Sequence, residues 1–466
     1  MSRVVPSNLA ENLVAGSGSR AAKTGSSPPE VSAGSGTYHV EGGCRLRGEV
    51  RLHGAKNAVA KQIVASLLTD EPCTIGNVPR IGEIAAVLAL LGEVGMRHRW
   101  LDDQTLCVHT PVLTGASLGG LHARSNRLSI LALGCLVQRA GAAQVPPPGG
   151  CPIGVRPLDF HVQALTMLGA DVRVGPQGYQ ASAKRLQGAA IDLPYPSVGG
   201  TESVLLAAVR AEGTTCLTNA AVEPEVLDTV EFLRKMGASI ELRPPRTFVI
   251  QGVSHLRGAT HRAIADRVEA ASLAAAAAAT DGAVRVLDAR ESDLEAFLRV
   301  FTQWGGGYSV DPDGITFYRH KSRAEGVDVE TAPFPGFSTD WLPPTIVLLA
   351  QSDRPSSVHE TVFENRLASV AGLRRMGAAM QLSSRCLGTE PCRFHDQGFL
   401  HSALIRPARL RGASLSIGDL RAGFAFVLAA LTAEGASDIS GTCHLERGCA
   451  DLVGSLRRLG ARITTL

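Results

Sequence analysis

The sequence is short of aromatic residues, of net charge and of long hydrophobic runs. Aromatics make up 5% of its 466 residues, and the formal net charge is only +3. A chain so close to neutrality lacks the strongly basic surface that nucleic-acid binding through bulk electrostatics requires. The alanine-rich run 270–279 is interrupted by Asp281 and is much shorter than the about 18 apolar residues of a membrane-spanning helix. We therefore expect neither a nucleic-acid-binding protein nor a membrane protein.

Closely spaced cysteine pairs are also missing. The ten cysteines include no Cys-x-x-Cys pair, and in a long chain without an export signal such cysteines are more typical of free thiols than of a disulfide framework. Cys386, Cys392 and His395 lie close together in sequence. No fourth ligand follows at a spacing familiar from zinc sites, so we expect ordinary loop residues and no metal. Residues 1–37 are rich in Ser, Gly, Ala and Pro, which predicts a disordered tail rather than a secretion signal, and a cytoplasmic protein.

What the chain does contain is a repeated pattern. A helix-like segment ends in a bulky apolar residue and a glycine, a strand-like run follows, and the glycines are Gly95, Gly169, Gly237, Gly305, Gly377 and Gly460. Glycine suits this position because the left-handed conformation that ends many helices costs little without a Cβ. Most units also show a second stop before another short strand, as at Asp281-Gly282. We predict six α/β units of about 70 residues, longer than the about 20–50 residues of solenoid repeats, and hence two domains of three units each.

One segment fits neither a helix nor a strand. Residues 146–157 are dominated by proline and glycine, with Cys151 in the middle and Arg156 five residues later. A thiol on a loop beside a cation can have a lowered pKa and serve as a nucleophile or proton donor. Taken alone, however, the segment is better explained by an incidental loop cysteine.

Several polar clusters at predicted unit junctions strengthen the functional interpretation. Each combines small residues with a charged or hydroxyl side chain near the start of an apolar run, an arrangement that suits anions. For any one arginine a surface salt bridge is the simpler explanation, but seven such elements favour a shared anion site. They are Lys56-Asn57, Asn126-Arg127, Ser197-Val198-Gly199, Ser338-Thr339-Asp340, Phe363-Glu364-Asn365-Arg366, Asp419-Leu420-Arg421 and Glu446-Arg447.

In this combination and order, the motifs resemble those of the enolpyruvyl transferases from about Tyr38 to the C-terminus. The match includes Gly-Ala-Lys-Asn-Ala from Gly54, the Gly-Gly-Cys loop, residues 223–229 and residues 266–269. It is closest to the branch acting on UDP-N-acetylglucosamine in cell-wall synthesis; the branch of aromatic amino-acid synthesis is not expected to carry the cysteine loop. The resemblance implies a two-domain inside-out α/β barrel with the active site between the domains. Residues 56–265 would form one domain, and 38–55 with 266–466 the other.

The resemblance also implies substrates and residue roles. The substrates would be phosphoenolpyruvate and a uridine nucleotide, with no metal or organic cofactor. Cys151 would donate a proton to the methylene carbon and react with fosfomycin, Asp340 would take the proton of the acceptor hydroxyl, and Asp419 would handle the proton that leaves. Phosphoenolpyruvate would contact Lys56, Asn57, Arg156, Arg421 and Arg447, of which Lys56 and Arg421 also belong to the catalytic set. The nucleotide would contact Arg127, Arg156, Pro157, Leu158, Asp159, Phe160, His161, Ser197, Val198, Gly199, Asp340, Val362 and Arg366.

Departures from the family pattern leave the acceptor open. Trp341-Leu342-Pro343-Pro344 stands where the family usually has a glutamine-containing polar run, and Ala270-Ala271 stands where it has a Gly-Thr or similar polar pair. Leu367-Ala368-Ser369 replaces the family's Phe-Met-His, and Tyr195 stands where some relatives place a lysine near the diphosphate. Extra loop lies between Met380 and Asp419. The acceptor could therefore be UDP-N-acetylglucosamine or another nucleotide, such as UMP in nikkomycin- or polyoxin-type antibiotic pathways. A non-catalytic nucleotide-binding relative is a third possibility. That possibility predicts a broken catalytic set, whereas Cys151, Lys56, Asp340 and Arg421 are all present.

Overall fold

The computed structural model describes residues 36–119, 127–150, 153–320, 324–388 and 392–466. Of the expected tail, only Gly36 and Thr37 lie within these ranges, and Thr37 is not disordered: it begins the first strand, opposite Ser440. The strands are β1 (Thr37–Glu41), β2 (Arg47–Arg51), β3 (Cys73–Gly76), β4 (Arg97–Trp100), β5 (Leu106–His109), β6 (Ala142–Val145), β7 (Asp171–Gly175), β8 (Gly178–Ser182), β9 (Ala190–Asp192), β10 (Thr214–Thr218), β11 (Ser239–Arg243), β12 (Thr247–Gln251), β13 (Thr260–Arg262), β14 (Ala283–Leu287), β15 (Gly306–Asp311), β16 (Gly314–Arg319), β17 (Asp328–Glu330), β18 (Ser356–His359), β19 (Ala379–Ser383), β20 (Ser402–Arg406), β21 (Ser414–Ser416), β22 (Ala436–Ser440) and β23 (Arg462–Thr465).

Helices alternate with these strands along the chain. Among the described residues, no helix combines the length and the apolar character needed to cross a membrane. The helices are α1 (Lys56–Ala65), α2 (Gly82–Gly92), α3 (Leu128–Ala140), α4 (Asp159–Met167), α5 (Val198–Ala208), α6 (Pro224–Lys235), α7 (Arg267–Ala279), α8 (Glu295–Trp304), α9 (Leu342–Leu349), α10 (Val370–Arg375), α11 (Leu420–Thr432), α12 (Cys443–Glu446) and α13 (Leu452–Arg458).

Six small sheets share one topology, which confirms the predicted repeat. In five of them a short edge strand runs parallel to the next strand, and two further strands complete the sheet in antiparallel pairing; the orders are β13-β3-β5-β4, β9-β10-β12-β11, β2-β14-β16-β15, β17-β18-β20-β19 and β21-β22-β1-β23. The sixth sheet, β6-β8-β7, has a single parallel bridge between Ser117 and Gln144 in place of the edge strand. Each unit therefore contributes an edge segment, a helix, a strand, a second helix and a strand pair.

The glycine that follows the second helix of each unit has the predicted left-handed backbone. The φ angles of the six glycines are 98°, 89°, 101°, 121°, 92° and 97° in chain order. After five of them, the next amide donates to the carbonyl five residues back, as Ala170 does to Leu165 (3.0 Å) and Ala461 to Leu456 (2.9 Å). These bonds satisfy carbonyl groups that a helix end leaves without partners. The sequence signal was therefore a series of helix C-caps.

The first helix of each unit is buried on nearly every side, while the second is amphipathic. In α3, for example, all residues from Leu128 to Val137 are buried, whereas α8 buries one face through Phe297, Phe301 and Trp304. A helix that is apolar all round belongs in a core. The chain thus wraps its sheets and amphipathic helices around central helices.

The buried apolar residues fall into two clusters. One is built from residues between Val59 and Ala263 together with Ala450, and the other from residues 38–52 and 268–463. Strand β2 pairs with β14 in the cluster of residues 38–52 and 268–463, whereas β13 pairs with β3 in the other cluster. The chain therefore passes from one cluster to the other near residues 52–56 and again near residues 263–267.

Candidate active site

Between the two clusters lies a cavity of about 600 Å³. It is lined by loops and helix starts from both sides, including α1 and α5 on one side and α7 and α11 on the other. Eight cationic and six acidic side chains reach its wall. They are Lys56, Lys61, Arg127, Arg156, Arg267, Arg366, Arg393, Arg421, Glu202, Glu223, Glu225, Asp340, Glu364 and Asp419.

Asp340 lies among cations at this wall. Its Oδ1 accepts a hydrogen bond from Arg366 Nη2 at 2.6 Å, and Arg421 Nη2 lies 3.4 Å from Oδ2. Burial alone would raise the pKa of Asp340, but the charges of Arg421, Arg366 and Lys56 outweigh it and hold this pKa below its ordinary value. The carboxylate is therefore ionised at neutral pH and can accept a proton or a hydrogen bond from a bound hydroxyl.

A second cationic group lies where α3 and the proline-rich loop meet. Arg127 precedes the first residue of α3, as the sequence predicts, and its Nη2 donates to the carbonyl of Arg156 at 2.6 Å. Burial, with Arg156 as the next cause, lowers the pKa of Arg127 to about 10. His161 is buried nearby with Nδ1 2.6 Å from Ser203 Oγ; burial and then Arg127 lower its pKa to about 3, so the ring is neutral. Two adjacent guanidinium groups with a neutral imidazole suit a phosphate or diphosphate.

The cysteine-containing loop has the unusual backbone that its composition predicts. Cys151 itself lies outside the described residues. On either side of it, Gly150 and Arg156 have positive φ angles of 120° and 49°, and Ile153 lines the cavity. The loop is attached to the opposite side of the cavity, because the Val155 amide donates to Glu364 Oε1 at 2.5 Å and the Asn365 amide donates to the Ile153 carbonyl at 3.0 Å.

Several helices begin at the cavity wall, among them α1, α5 and α11. The Ser197 hydroxyl caps α5 by accepting from the Gly200 amide (3.2 Å), and Asp419 Oδ1 caps α11 by accepting from the amides of Arg421 and Ala422 (3.0 and 3.1 Å). Helix α1 begins at Lys56 with no side-chain cap. The positive end of a helix dipole attracts anions, so the start of α1 can receive one.

Buried ion pairs line the remaining wall. Arg267 Nε lies 2.9 Å from Glu225 Oε1, and Lys61 Nζ lies 3.4 Å from Glu202 Oε1. Burial raises the pKa of Glu202 to about 7, although Lys61 opposes the shift. Residues 223–229 and 266–269 are part of the family resemblance, but no role was assigned to them from sequence. The Arg267–Glu225 pair shows that these two motifs meet at the cavity.

Most of the residues singled out from sequence meet at this cavity. The lining includes Lys56, Asn57, Arg127, Arg156, Pro157, Phe160, His161, Ser197, Val198, Gly199, Asp340, Val362, Arg366, Asp419 and Arg421. Leu158 and Asp159 are absent from it, because they form the start of α4 beside the lining residues. Arg447 is also absent from the lining, and its Nη2 instead lies 2.9 Å from Glu83 Oε2 on α2.

Sequence reasoning missed Arg393 as a site residue. This side chain comes from the extra loop before β20, lines the cavity, and lies with its Cζ 5.0 Å from the ring centroid of Tyr195. Burial raises the pKa of Tyr195 to about 12, while Arg393 opposes the shift. Tyr195 was predicted to replace a family lysine, and the structure brings a different cation to the same position. The only sequence signal was the basic character of the extra loop.

Cys386 and Cys392, which we expected to be ordinary loop residues like His395, have other histidines as neighbours in the fold. Both cysteines lie beside His359 and His401, whereas His395 pairs with Asp396 at 3.0 Å. Sequence proximity alone grouped the cysteines with His395, because His359 lies on a strand far from the cysteines in sequence.

Comparison with known proteins defines the class. Residues 40–456 match the EPSP synthase (3-phosphoshikimate 1-carboxyvinyltransferase) family. The chain is 43% identical over 433 residues to the UDP-N-acetylglucosamine 1-carboxyvinyltransferase of Protochlamydia amoebophila (91% of this chain, 93% of that protein). It is 44% identical over 427 residues to the enzyme of the same name from Chlamydia pneumoniae (90% and 93%).

Solved structures give the same family. The enolpyruvyl transferase NikO from Streptomyces tendae superposes with a TM-score of 0.81 at 25% identity, over 93% of this chain and 99% of that one. An EPSP synthase from Acinetobacter baumannii, at 17% identity, shares the fold with a TM-score of 0.71 over 92% of this chain and 100% of that one. The chain therefore belongs to the enolpyruvyl transferase family, and the predicted inside-out α/β fold and transferase class are confirmed.

Proposed function

We propose that this chain transfers the enolpyruvyl group of phosphoenolpyruvate to the 3-hydroxyl of UDP-N-acetylglucosamine and releases phosphate. The observation that carries the proposal is the pair of cationic groups in one cavity: Lys56, Arg366 and Arg421 around Asp340, and Arg127 with Arg156 beside α3. Two anionic substrates held side by side need such separate groups of fixed charge. The 43–44% identity to enzymes named for this reaction supports the assignment.

The first group is suited to the three-carbon substrate. Lys56 at the uncapped start of α1 and Arg421 at the start of α11 would bind its phosphate and carboxylate, with Asn57 and Arg156 contributing hydrogen bonds. Arg447 is held by Glu83 and would have to leave that pair to join them. Binding of an anion at Arg421 draws this guanidinium away from Asp340 and adds negative charge nearby. Both effects raise the pKa of Asp340 and make it a better proton acceptor.

The proposed chemistry is an addition followed by an elimination. The acceptor oxygen bonds to C2 of phosphoenolpyruvate while its proton passes to Asp340, and Cys151 gives a proton to C3. In the second step the bond from C2 to the phosphate oxygen breaks, inorganic phosphate leaves, and a proton lost from C3 to Asp419 restores the double bond. General acid–base transfers of this kind contribute about 10²–10⁴ each in rate.

The position of the sequence departures supports a diphosphate sugar as acceptor. Trp341, Leu342 and Leu367 are buried in the hydrophobic core, as are Ala270 and Ala271, and none of the five lines the cavity. These changes alter packing without altering the substrate's surroundings.

Tyr195, in contrast, is a departure that lines the cavity, and Arg393 lies over it. Arg393 would then supply the positive charge that a lysine provides near the diphosphate in some relatives. We propose that the nucleotide contacts Arg127, Arg156, Pro157, Phe160, His161, Ser197, Val198, Gly199, Val362, Arg366 and Arg393.

The two apolar clusters support a division into two domains, residues 56–265 and residues 38–55 with 266–466, which we propose close over the substrates. Like charges in the empty cleft repel one another, and an anionic substrate removes this repulsion. We expect small-angle scattering to show a more compact particle on addition of UDP-N-acetylglucosamine; identical profiles would contradict closure. Both substrates are cytoplasmic metabolites, so we propose the cytoplasm as the place of action.

The decisive experiment measures phosphate release from phosphoenolpyruvate with UDP-N-acetylglucosamine or with UMP. We expect release with the sugar nucleotide and none with Cys151→Ala, which should still bind the nucleotide in calorimetry. Release with UMP alone would replace the acceptor while retaining the chemistry. Release with neither, despite nucleotide binding, would indicate a non-catalytic relative.

A further inference from the structure

We propose that the chain binds a structural zinc ion through His359, Cys386, Cys392 and His401, at a site separate from the cavity. One possible ligand atom of each residue lies within 4.8 Å of those of the other three. None of the four lines the cavity. Two sulfur and two imidazole ligands form a set that proteins use for tetrahedral structural zinc.

The fold brings these residues together at one edge of the sheet β17-β18-β20-β19. His359 is the last residue of β18 and lies opposite Ser402, the first residue of β20. His401 directly precedes that residue, and Ser383, the last residue of β19, pairs with Ser402 from the other side. Cys386 follows three positions after Ser383. Three of the ligands therefore lie at, or within three residues of, adjacent strand ends.

The fourth ligand, Cys392, comes from the middle of an unusually long connection, whose two ends carry Cys386 and His401. Between β4 and β5, β7 and β8, β11 and β12, and β15 and β16, the equivalent turns have two to five residues, whereas residues 384–401 separate β19 from β20. Cys392 lies in this connection. At Gly388 an added Cβ would lie 2.2 Å from Glu330 Oε2 and 3.3 Å from His359 Nδ1. The absence of a side chain thus lets the connection pack closely over the histidine.

The interatomic distances fit a tetrahedral ion. Zinc–sulfur bonds of about 2.3 Å and zinc–nitrogen bonds of about 2.05 Å imply separations of about 3.8 Å between sulfurs and about 3.6 Å between sulfur and nitrogen. Cys386 Sγ lies 3.4 Å from Cys392 Sγ and 3.5 Å from His401 Nε2. The Phe394 amide donates to Cys392 Sγ at 3.3 Å, which supports a sulfur carrying negative charge.

Both imidazoles are oriented with Nε2 available as the ligand atom. His401 Nδ1 lies 2.8 Å from the Phe399 carbonyl oxygen, which can only accept, so Nδ1 carries the proton and Nε2 a lone pair. His359 Nδ1 lies 2.8 Å from Glu330 Oε2, the carboxylate–histidine arrangement that commonly supports zinc ligands. Fixed in this way, both rings are prepared to bind a metal without rearrangement.

A bound ion also accounts for an otherwise unsatisfied atom. His359 Nε2 is buried and has no hydrogen-bond partner among the described residues, a costly state for a polar nitrogen. A disulfide between Cys386 and Cys392 would shorten the sulfur–sulfur distance but would leave this nitrogen without a partner. Zinc satisfies both sulfurs and both nitrogens together.

The site has a structural consequence for the cavity. Arg393, which reaches the cavity and Tyr195, directly follows Cys392. Phe394, the next residue, packs with its ring centroid 5.8 Å from that of His401. Zinc would therefore fix both ends of the connection that carries Arg393.

Metal content of the unaltered full-length chain provides the first test. We expect elemental analysis of protein purified without chelator to find one zinc ion per chain. Exchange with cobalt(II) should produce the intense visible bands of tetrahedral cobalt bound by two thiolates. No metal at any step, or intact-mass evidence for a Cys386–Cys392 disulfide in the purified protein, would overturn the proposal.

Matched variants then identify the ligands. We expect His401→Gln and Cys392→Ser to lose the stoichiometric zinc and the cobalt spectrum. His395→Gln and Cys216→Ser, which remove a nearby exposed histidine and a distant free cysteine, should retain both. Circular dichroism of each variant checks that it folds, and the cobalt spectrum of the unaltered chain does not depend on any variant. Zinc retained by His401→Gln but lost by His395→Gln would refute the ligand set.

Discussion

Replacing Asp340 by asparagine separates its proposed role in proton transfer from a role in binding. The substitution keeps the size of the side chain but removes its negative charge and its ability to take a proton. In the wild type, Arg366 and Arg421 lie 2.6 and 3.4 Å from the two carboxylate oxygens. If Asp340 accepts the proton of the acceptor hydroxyl, we expect kcat to fall by about 10²–10⁴.

The same substitution should lower stability without weakening phosphoenolpyruvate binding. Removing one partner of a buried ion pair costs about 3–5 kcal/mol. The amide oxygen can still accept from Arg366, which also keeps its bond to Thr339 Oγ1 (3.0 Å), so we expect a loss of about 3 kcal/mol or less. Because the two guanidinium groups no longer face a carboxylate, binding of the anionic substrate should be unchanged or tighter.

Steady-state phosphate release gives kcat and both KM values, and calorimetry gives the phosphoenolpyruvate Kd. Asp311→Asn is the matched control, because Asp311 also pairs with an arginine (Arg285, 2.9 Å) but does not line the cavity. We expect this control to keep wild-type kcat. A raised phosphoenolpyruvate KM with kcat unchanged in Asp340→Asn would refute the proton-transfer role.

Three further predictions concern other residues of the site. Fosfomycin should add one adduct to the wild type and none to Cys151→Ala, because burial raises the pKa of a thiol such as Cys449 to about 12 and keeps it unreactive; intact-mass spectrometry measures this, and an adduct in the variant would contradict it. Arg393→Gln should raise the KM for UDP-N-acetylglucosamine by about 10–100-fold, the equivalent of one charged hydrogen bond, with little change in the KM for phosphoenolpyruvate; an effect on the latter alone would be inconsistent with a diphosphate contact. The pKa of His161 is about 3 in the folded chain and about 6.5 when unfolded, so the unfolded state binds more protons below about pH 6.5 and stability falls as the pH is lowered from there. His161→Gln should therefore reduce the slope of unfolding free energy against pH by up to about 1.4 kcal/mol per unit between about pH 6.5 and 5, measured by denaturant titration; an unchanged slope would show that another group is responsible.

The fold was readable from sequence because its signals are local. A glycine such as Gly169 reports a helix end through the backbone of a few neighbouring residues, and six repetitions of that signal define the unit. Buried helices such as α3 were visible as apolar runs. The predicted end of the disordered tail, at residue 37, was wrong. Thr37 pairs with Ser440, and this pairing could not be predicted because it depends on a strand near the other end of the chain.

The site was predictable only where its residues lie in short motifs. Lys56, Asp340 and Arg421 could be proposed because each stands at or just before a helix start within a recognisable pattern. Arg393 could not, because nothing near it in sequence indicates that Tyr195 lies beneath it.

By itself, the sequence determined the six-unit α/β architecture, the family and most of the residues around the cavity, since periodicity and short motifs depend on neighbouring residues. Tertiary structure decided which groups meet: the cations that keep Asp340 ionised, the attachment of the cysteine loop to Glu364, and the four proposed zinc ligands, drawn from β18 and from the connection between β19 and β20. These contacts join residues far apart in the chain, and only strand pairing and the packing of the two cores bring them within a few ångströms.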